Sequence, residues 1–194
     1  MDGKLLFLRN FLRHPLAIAS PLSTSRTAAI HLAERITKKG RLVIIEYGPG
    51  TGVLAKAILS GGNFSADSLL ILIETNKEFV RHLRRTLNDP RVYVFHASAE
   101  RVGDILTLCG ERRADYIFSS IPLSVIPAPT VARILRVTER ALAVDGRFIV
   151  FLVRLKARKM LRKKFPTVHT KIEPASLPPL FVFEASKRRL KRVL

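Results

Sequence analysis

Short apolar runs alternate with segments of helical periodicity along this chain. Five of the runs are rich in β-branched and aromatic residues, and their length and composition predict strands that are buried on both faces. These runs are Leu42–Glu46, Leu69–Glu74, Val92–Phe95, Tyr116–Ser119 and Arg147–Val153. Because the segments between them fit crossover helices, the pattern predicts a parallel α/β sheet.

Three of the intervening segments carry helix start and stop signals. Val53–Leu59 follows a Gly-Thr-Gly turn, and Asn76 is a suitable N-cap for a helix over Lys77–Leu87. A third helix is expected to open at Pro129-Thr130 and to end before Asp145-Gly146.

The last two apolar runs are separated by prolines. Thr167–Ile172 and Leu180–Ala185 flank a stretch in which Pro174, Pro178 and Pro179 exclude a helix. The two runs therefore predict a terminal antiparallel pair. The whole chain is expected to form a mostly parallel, seven-stranded sheet with this pair at its C-terminal end.

The length fits one compact domain. A chain of 194 residues that is 47% hydrophobic can bury one sizeable core but is short for two domains. We therefore predict a single domain over residues 1–194, with an N-terminal helical extension over 1–36 and a core over 40–194. We expect it to be a monomer.

The charge of the chain predicts an anionic partner. The formal net charge is +19, and thirteen Lys or Arg residues against two acids lie between Arg154 and Leu194. Such an excess favours nucleic acid or an anionic lipid surface. The alternative is a generally cationic surface with no specific partner.

Cysteine content and hydropathy further limit the kind of protein that this chain can be. Cys109 is the single cysteine, so neither an internal disulfide nor a multi-cysteine metal site can form, and we predict no metal. No apolar run reaches the ~18 residues of a membrane span. We therefore expect a cytoplasmic protein that is peripheral to the membrane if it binds lipid.

A glycine cluster follows the first predicted strand. Gly48, Gly50 and Gly52 permit close approach of the backbone to a ligand, and Glu46 precedes them. The spacing is G-x-G-x-G and not the G-x-G-x-x-G of a pyrophosphate loop, which favours a cationic cofactor without phosphates. Glu46 can orient an ammonium group, and Glu74 at the end of the second strand can accept the hydroxyl groups of a ribose. The alternative is an ordinary glycine-rich turn beside two exposed acids.

Together, Glu46–Gly52, Glu74 and Ser119–Leu123 resemble two related groups of methyltransferases that use S-adenosylmethionine. These are the rRNA adenine dimethyltransferases and the bacterial phospholipid N-methyltransferases. The rRNA enzymes carry Asn-Leu-Pro-Tyr or a close variant after the fourth strand to hold a flipped adenine. This chain has Ser120 in place of the Asn and Leu123 in place of the Tyr, which argues against adenine as the substrate.

Two further stretches are similar to the lipid group, so the resemblance covers nearly the whole chain. One is Ser20–Ala28, where the family usually has Pro-Thr-Ser and this chain has Ser23, Thr24 and Ser25. The other is Leu177–Phe183. The resemblance implies a Rossmann-like class I methyltransferase fold and S-adenosylmethionine as cofactor.

The resemblance also implies a set of site residues. The expected cofactor-binding residues lie in the N-terminal turn and after the first four strands: Thr24, Ser25, Glu46, Gly48, Gly50, Gly52, Glu74, Thr75, Ser98, Ala99 and Ser119. The expected substrate-binding residues are Ser119, Pro122 and Leu123. No proton acceptor is assigned, since Tyr47, His14, His96 and Glu100 are each better explained as structural.

The N-terminal segment has the pattern of an amphipathic helix. If Lys4–His14 is helical, apolar side chains form one broad arc with basic residues outside it. The predicted membrane-binding residues are Leu5, Phe7, Leu8, Arg9, Phe11, Leu12 and Arg13. The alternative is that this arc packs on the protein's own core. The basic stretch Arg154–Lys164 suits lipid phosphates and RNA phosphates equally.

These observations lead to three hypotheses. The first, taken from the resemblance, is stepwise N-methylation of an aminophospholipid such as phosphatidylethanolamine at a membrane surface. The second is dimethylation of adenine in rRNA. The third is a binding protein that keeps the fold without catalysis.

Overall fold

The computed structural model describes residues 25–123, 126–152, 157–176 and 178–188. Within these ranges the chain forms seven strands and six α helices. The strands are β1 (Val43–Tyr47), β2 (Leu69–Glu74), β3 (Val92–His96), β4 (Ala114–Ser119), β5 (Leu142–Leu152), β6 (Thr167–Glu173) and β7 (Leu180–Ser186). The helices are α1 (Arg26–Ala33), α2 (Val53–Leu59), α3 (Lys77–Thr86), α4 (Val102–Leu108), α5 (Ala128–Ala141) and α6 (Ala157–Arg162).

The strands form one sheet in the order β3-β2-β1-β4-β5-β7-β6. The first five strands are parallel to one another, whereas β7 is antiparallel to both β5 and β6. The sheet confirms the predicted mostly parallel architecture with an antiparallel C-terminal pair. It also places the carboxyl ends of β1, β2 and β4 side by side, which is where ligands bind in open α/β sheets.

Each face of the sheet carries its own apolar layer. On β1, the side chains of Val43, Ile45 and Tyr47 pack in one layer, whereas that of Ile44 packs in the other. All five residues of β1 and all six of β2 are buried, as expected for central parallel strands with helices on both faces. The sequence prediction of strands buried on both faces is confirmed for these two and is wrong for β3, an edge strand in which no residue is fully buried.

The predicted start of the fifth strand is wrong. The helix before it ends at Ala141, ahead of Asp145-Gly146 as expected, but β5 begins at Leu142 and not at Arg147, so Asp145 and Gly146 lie inside the strand. Leu142 is already the register partner of Ala114 on β4, and an irregularity follows before Arg147 pairs with Tyr116. Pairing with β4 therefore overrides the turn preference of Asp-Gly.

Helix α1 is held against the turn that follows β6. The Ser25 hydroxyl accepts a hydrogen bond from the Ala28 amide (3.0 Å) and donates one to the Ala175 carbonyl (2.5 Å). His31 Nδ1 lies 3.0 Å from a carboxylate oxygen of Glu173, which is buried. Helix α1 is thus attached to the sheet at the edge formed by the carboxyl ends of the parallel strands.

Replacing Ser25 by alanine should lower the free energy of unfolding by about 1–2 kcal/mol. The change removes a helix N-cap together with a bond across 150 residues of chain. Urea denaturation of the variant and of Thr27→Ala, an exposed position on the same helix, measures the difference. Equal midpoints for the two variants would show that the Ser25 bonds do not stabilise α1.

No helix in the described ranges is long and apolar enough to cross a bilayer.

Candidate functional site

The glycine loop after β1 and the end of β2 meet at the carboxyl edge of the sheet. Tyr47 is the register partner of Ile73, and the Gly48 amide donates to the Ile73 carbonyl at 2.9 Å. Glu74 points its carboxylate at the loop, where one oxygen accepts from the Gly50 amide at 3.1 Å. The other oxygen accepts from the Asn76 amide at 2.8 Å. The two parts of the sequence motif are therefore brought into direct contact, forming a crevice that we call the glycine-loop crevice, bounded by Glu46–Gly52 and Glu74.

The loop depends on left-handed backbone at its glycines. Gly48, Gly50 and Gly52 have φ values of 69°, 56° and 77°. A Cβ at Gly50 would meet nothing within 4 Å, whereas a Cβ at Gly52 would come within 2.7 Å of a methyl group of Leu83 on α3. Gly50 therefore leaves space for a ligand, and Gly52 allows the loop to lie close to Leu83 of α3.

Glu46 is a buried carboxylate with one oxygen unpaired. Glu46 is only 2% exposed, and its Oε2 atom has no hydrogen-bond partner within the described part of the chain. Burial, together with the nearby charge of Glu74, raises the pKa of Glu46 to about 8. Such a group is costly unless a donor or a cation reaches it.

The crevice suits S-adenosylmethionine, a sulfonium with an ammonium group and a ribose. An unpaired buried carboxylate at Glu46 offers a partner to the ammonium group, and the Glu74 oxygens keep lone pairs for hydroxyl donors. Open space at Gly50 admits a ligand against bare backbone. The residues present therefore fit the cofactor that the sequence predicts.

The segment after β4 closes one side of the crevice. The Ser120 hydroxyl donates to the Gly48 carbonyl at 2.8 Å, so it ties this segment to the glycine loop. Ser119 is buried, and its hydroxyl accepts from the Ile121 amide at 3.3 Å. Pro122 is half-buried and Leu123 is fully buried in the apolar layer. Ser120 was absent from the predicted site, although its place beside Ser119 in the motif was a usable signal.

The predicted residues after β2 and β3 lie at the same edge, farther from β1. Thr75 is exposed, and its carbonyl oxygen lies 2.9 Å from His96 Nε2. The Ser98 hydroxyl accepts from the Glu100 amide at 3.2 Å and caps a short 3₁₀ turn that begins at Ala99, which is buried. Their proposed contact with the cofactor stays a prediction.

The proton-acceptor candidates within the described residues are engaged in other contacts. Tyr47 is fully buried and its hydroxyl lies 3.2 Å from that of Thr138; burial raises the pKa of Tyr47. Glu100 pairs with Arg133 at 2.5 Å, and this hydrogen bond lowers the pKa of Glu100. No cluster of His, Cys, Asp or Glu that could hold a metal occurs in the described ranges.

Several predicted residues cannot be placed. Thr24, His14 and the whole membrane-binding set from Leu5 to Arg13 lie outside the described residues. Ser25 is described, and its hydroxyl is used in the helix cap and the bond to Ala175.

The chain is similar to known methyltransferases in sequence and in fold. No family model matches the chain. The chain is 29% identical over 181 residues to the ornithine lipid N-methyltransferase of Singulisphaera acidiphila, covering 92% of this chain and 93% of that one. Among solved structures it is similar to a precorrin-6Y C5,15-methyltransferase from Geobacter metallireducens, with a TM-score of 0.67 and 16% identity over 89% of this chain and 94% of that one.

A second similar structure contains S-adenosylhomocysteine, which is what remains of S-adenosylmethionine after methyl transfer. It is the 1,6-didemethyltoxoflavin-N1-methyltransferase of Burkholderia thailandensis with S-adenosylhomocysteine bound, with a TM-score of 0.62 and 16% identity over 84% of this chain and 78% of that one. These structures confirm the predicted class I methyltransferase fold. The predicted enzyme class, a methyltransferase whose methyl donor is S-adenosylmethionine, agrees with the relative and with both structures.

Proposed function

We propose that this chain transfers methyl groups from S-adenosylmethionine to the amino group of a membrane lipid. The observation that carries the proposal is the relative, an ornithine lipid N-methyltransferase, because the match runs over nearly the full length of both chains. Phosphatidylethanolamine and ornithine lipids share the required feature, a primary amine on a lipid head group. The protein would act as a peripheral protein at the inner face of the membrane.

The chain's own residues supply positioning for this reaction. The donor, when bound, brings a methyl group already activated by its positive sulfur, so the protein must orient it and exclude water. Glu46 would hold the ammonium end with its unpaired oxygen, and Glu74 would hold the ribose while it fixes the Gly50 amide. In this proposal both carboxylates bind the methyl donor, and the segment after β4 would contact the methyl acceptor.

That segment lacks the means to hold a nucleobase. At the two ends of the motif that grips adenine in the rRNA enzymes, this chain has Ser120, bonded to Gly48, and Leu123, fully buried. Neither side chain presents an amide edge or an aromatic ring to a base. The geometry therefore favours an acceptor amine that is not part of a planar base.

A product assay tests the proposal. The protein is incubated with methyl-labelled S-adenosylmethionine and one of three acceptors: phosphatidylethanolamine vesicles, ornithine lipid vesicles or unmodified rRNA. We expect label in an extracted lipid and none in RNA, and we expect Gly50→Ala, which places a methyl group in the crevice, to lose most of the incorporation. Label in RNA alone would overturn the proposed acceptor.

A further inference from the structure

Two connections at the carboxyl edge of the sheet contain no charged residue. In sequence they are residues 120–127 between β4 and α5 and residues 174–179 between β6 and β7, of which 124, 125 and 177 lie outside the described residues, in a chain that is 25% charged. We call six of their exposed or half-buried apolar residues the proline rim. Its members are Ile121, Ile126, Pro127, Pro174, Pro178 and Pro179.

The sheet topology places the proline rim beside the glycine-loop crevice. Strand β6 runs parallel to β5 because β7 is antiparallel to both, so the β6–β7 connection emerges at the same edge as the ends of β1 and β4. Two strand spacings, about 10 Å, separate β4 from β7. The bond from Ser120 to Gly48 ties one half of the rim directly to the crevice. A lipid head group arriving between the two halves would therefore lie over the end of β5, with the segment after β4 separating it from the crevice.

Exposed cations lie on the two helices that begin next to the rim. Arg26 in the first turn of α1 and Arg158 and Lys159 at the start of α6 are exposed. Helix α1 is fixed to the rim by the hydrogen bond from Ser25 to Ala175. The carboxylates at the ends of β1, β2 and β6, those of Glu46, Glu74 and Glu173, are all buried.

We propose that the proline rim inserts at head-group depth into an anionic phospholipid bilayer and so presents the crevice to the membrane. This inference rests on the proposed lipid substrate, and it adds the orientation in which the protein would bind the membrane. Uncharged loops enter the interface without the cost of desolvating charges, and the bordering cations are attracted to anionic lipid. Proline loops also lose little conformational entropy on insertion, because their backbone is already restricted.

A competing orientation uses the opposite edge of the sheet. Arg112, Arg140 and Arg188 are exposed there, and Val144 is 60% exposed among them near the start of β5. Docking through this edge would leave the crevice facing away from the membrane. The two orientations therefore predict different residues at the lipid surface.

The absence of tryptophan from the chain allows a direct test. Single tryptophans are introduced by Pro178→Trp and Pro127→Trp in the rim and by Val144→Trp at the opposite edge, and folding is checked by circular dichroism. With vesicles of phosphatidylglycerol and phosphatidylethanolamine, we expect the emission of both rim variants to shift to shorter wavelength and to be quenched by lipids brominated on their acyl chains. We expect no change for Val144→Trp. A response of Val144→Trp without one from the rim, or bound protein with no rim response, would overturn the proposal.

Charge substitution gives a second readout. The double variant Pro127→Glu with Pro178→Glu should sediment with these vesicles on the order of tenfold less than the native protein, and Val144→Glu should match the native protein. Equal loss for both variants would also overturn the proposal. Methylation of detergent-dispersed lipid by the native protein tests the substrate separately, since it needs no bilayer.

Discussion

Replacing Gly52 by alanine should lower the free energy of unfolding by about 2–5 kcal/mol. The φ of 77° costs an alanine roughly 1–2 kcal/mol, and forcing a methyl group into a packed site costs roughly 1–3 kcal/mol more. The added Cβ would lie 2.7 Å from Leu83 Cδ2, so the buried Leu83 side chain must shift or the glycine loop must move away from α3. Urea denaturation with a shared m-value measures the change.

Alanine variants of two other glycines separate the cost of the Leu83 clash from the cost of positive φ. Gly40 also has positive φ, at 87°, but a Cβ there meets nothing within 4 Å, so Gly40→Ala should cost only about 1–2 kcal/mol. Gly50→Ala should resemble Gly40→Ala in stability, yet it should weaken S-adenosylmethionine binding because its methyl group enters the crevice. If Gly52→Ala proved no less stable than Gly40→Ala, the close approach of the loop to Leu83 would not explain the glycine.

The fold was largely predictable because its signals are local. Buried parallel strands such as Leu69–Glu74 are continuous apolar runs, and the G-x-G-x-G loop with Glu46 is readable within seven residues. The start of β5 was not predictable, since pairing of Leu142 with Ala114 decides it against the local Asp-Gly turn signal. Tertiary pairing between distant segments has no local trace in the sequence.

The site was predictable in its composition but not in its contacts. Glu46 and Glu74 were identified as a pair, but only the folded chain shows that Glu74 is bonded to Gly50 while Glu46 keeps one oxygen unpaired. The link from Ser25 to Ala175 spans 150 residues and follows from the β6–β7 turn lying at the carboxyl edge. Such contacts depend on the order of strands in the sheet, which residue spacing does not encode.

Glutamine at position 46 should remove a pH dependence from the stability of the cofactor-free protein. In the fold the pKa of Glu46 is raised from 4.5 to about 8, first by burial and then by Glu74. Between about pH 4.5 and 8 the folded state therefore binds a proton that the unfolded state has lost, so stability falls as pH rises through this window. Thermal unfolding over this range should show a flatter profile for Glu46→Gln, with the largest gain over the native protein near pH 8.

The same group should couple cofactor binding to proton release. If the unpaired Glu46 oxygen receives the ammonium group of S-adenosylmethionine, the carboxyl must ionise, and binding near pH 7 should release close to one proton. Calorimetry in buffers of different ionisation enthalpy measures this number. Glu46→Gln should abolish the release, whereas Glu173→Gln should retain it, because Glu173 is a buried carboxylate bonded to His31 at the end of β6, four strand positions away from β1. Binding heats of the native protein that do not vary with buffer would show that Glu46 keeps its proton and does not neutralise the ligand.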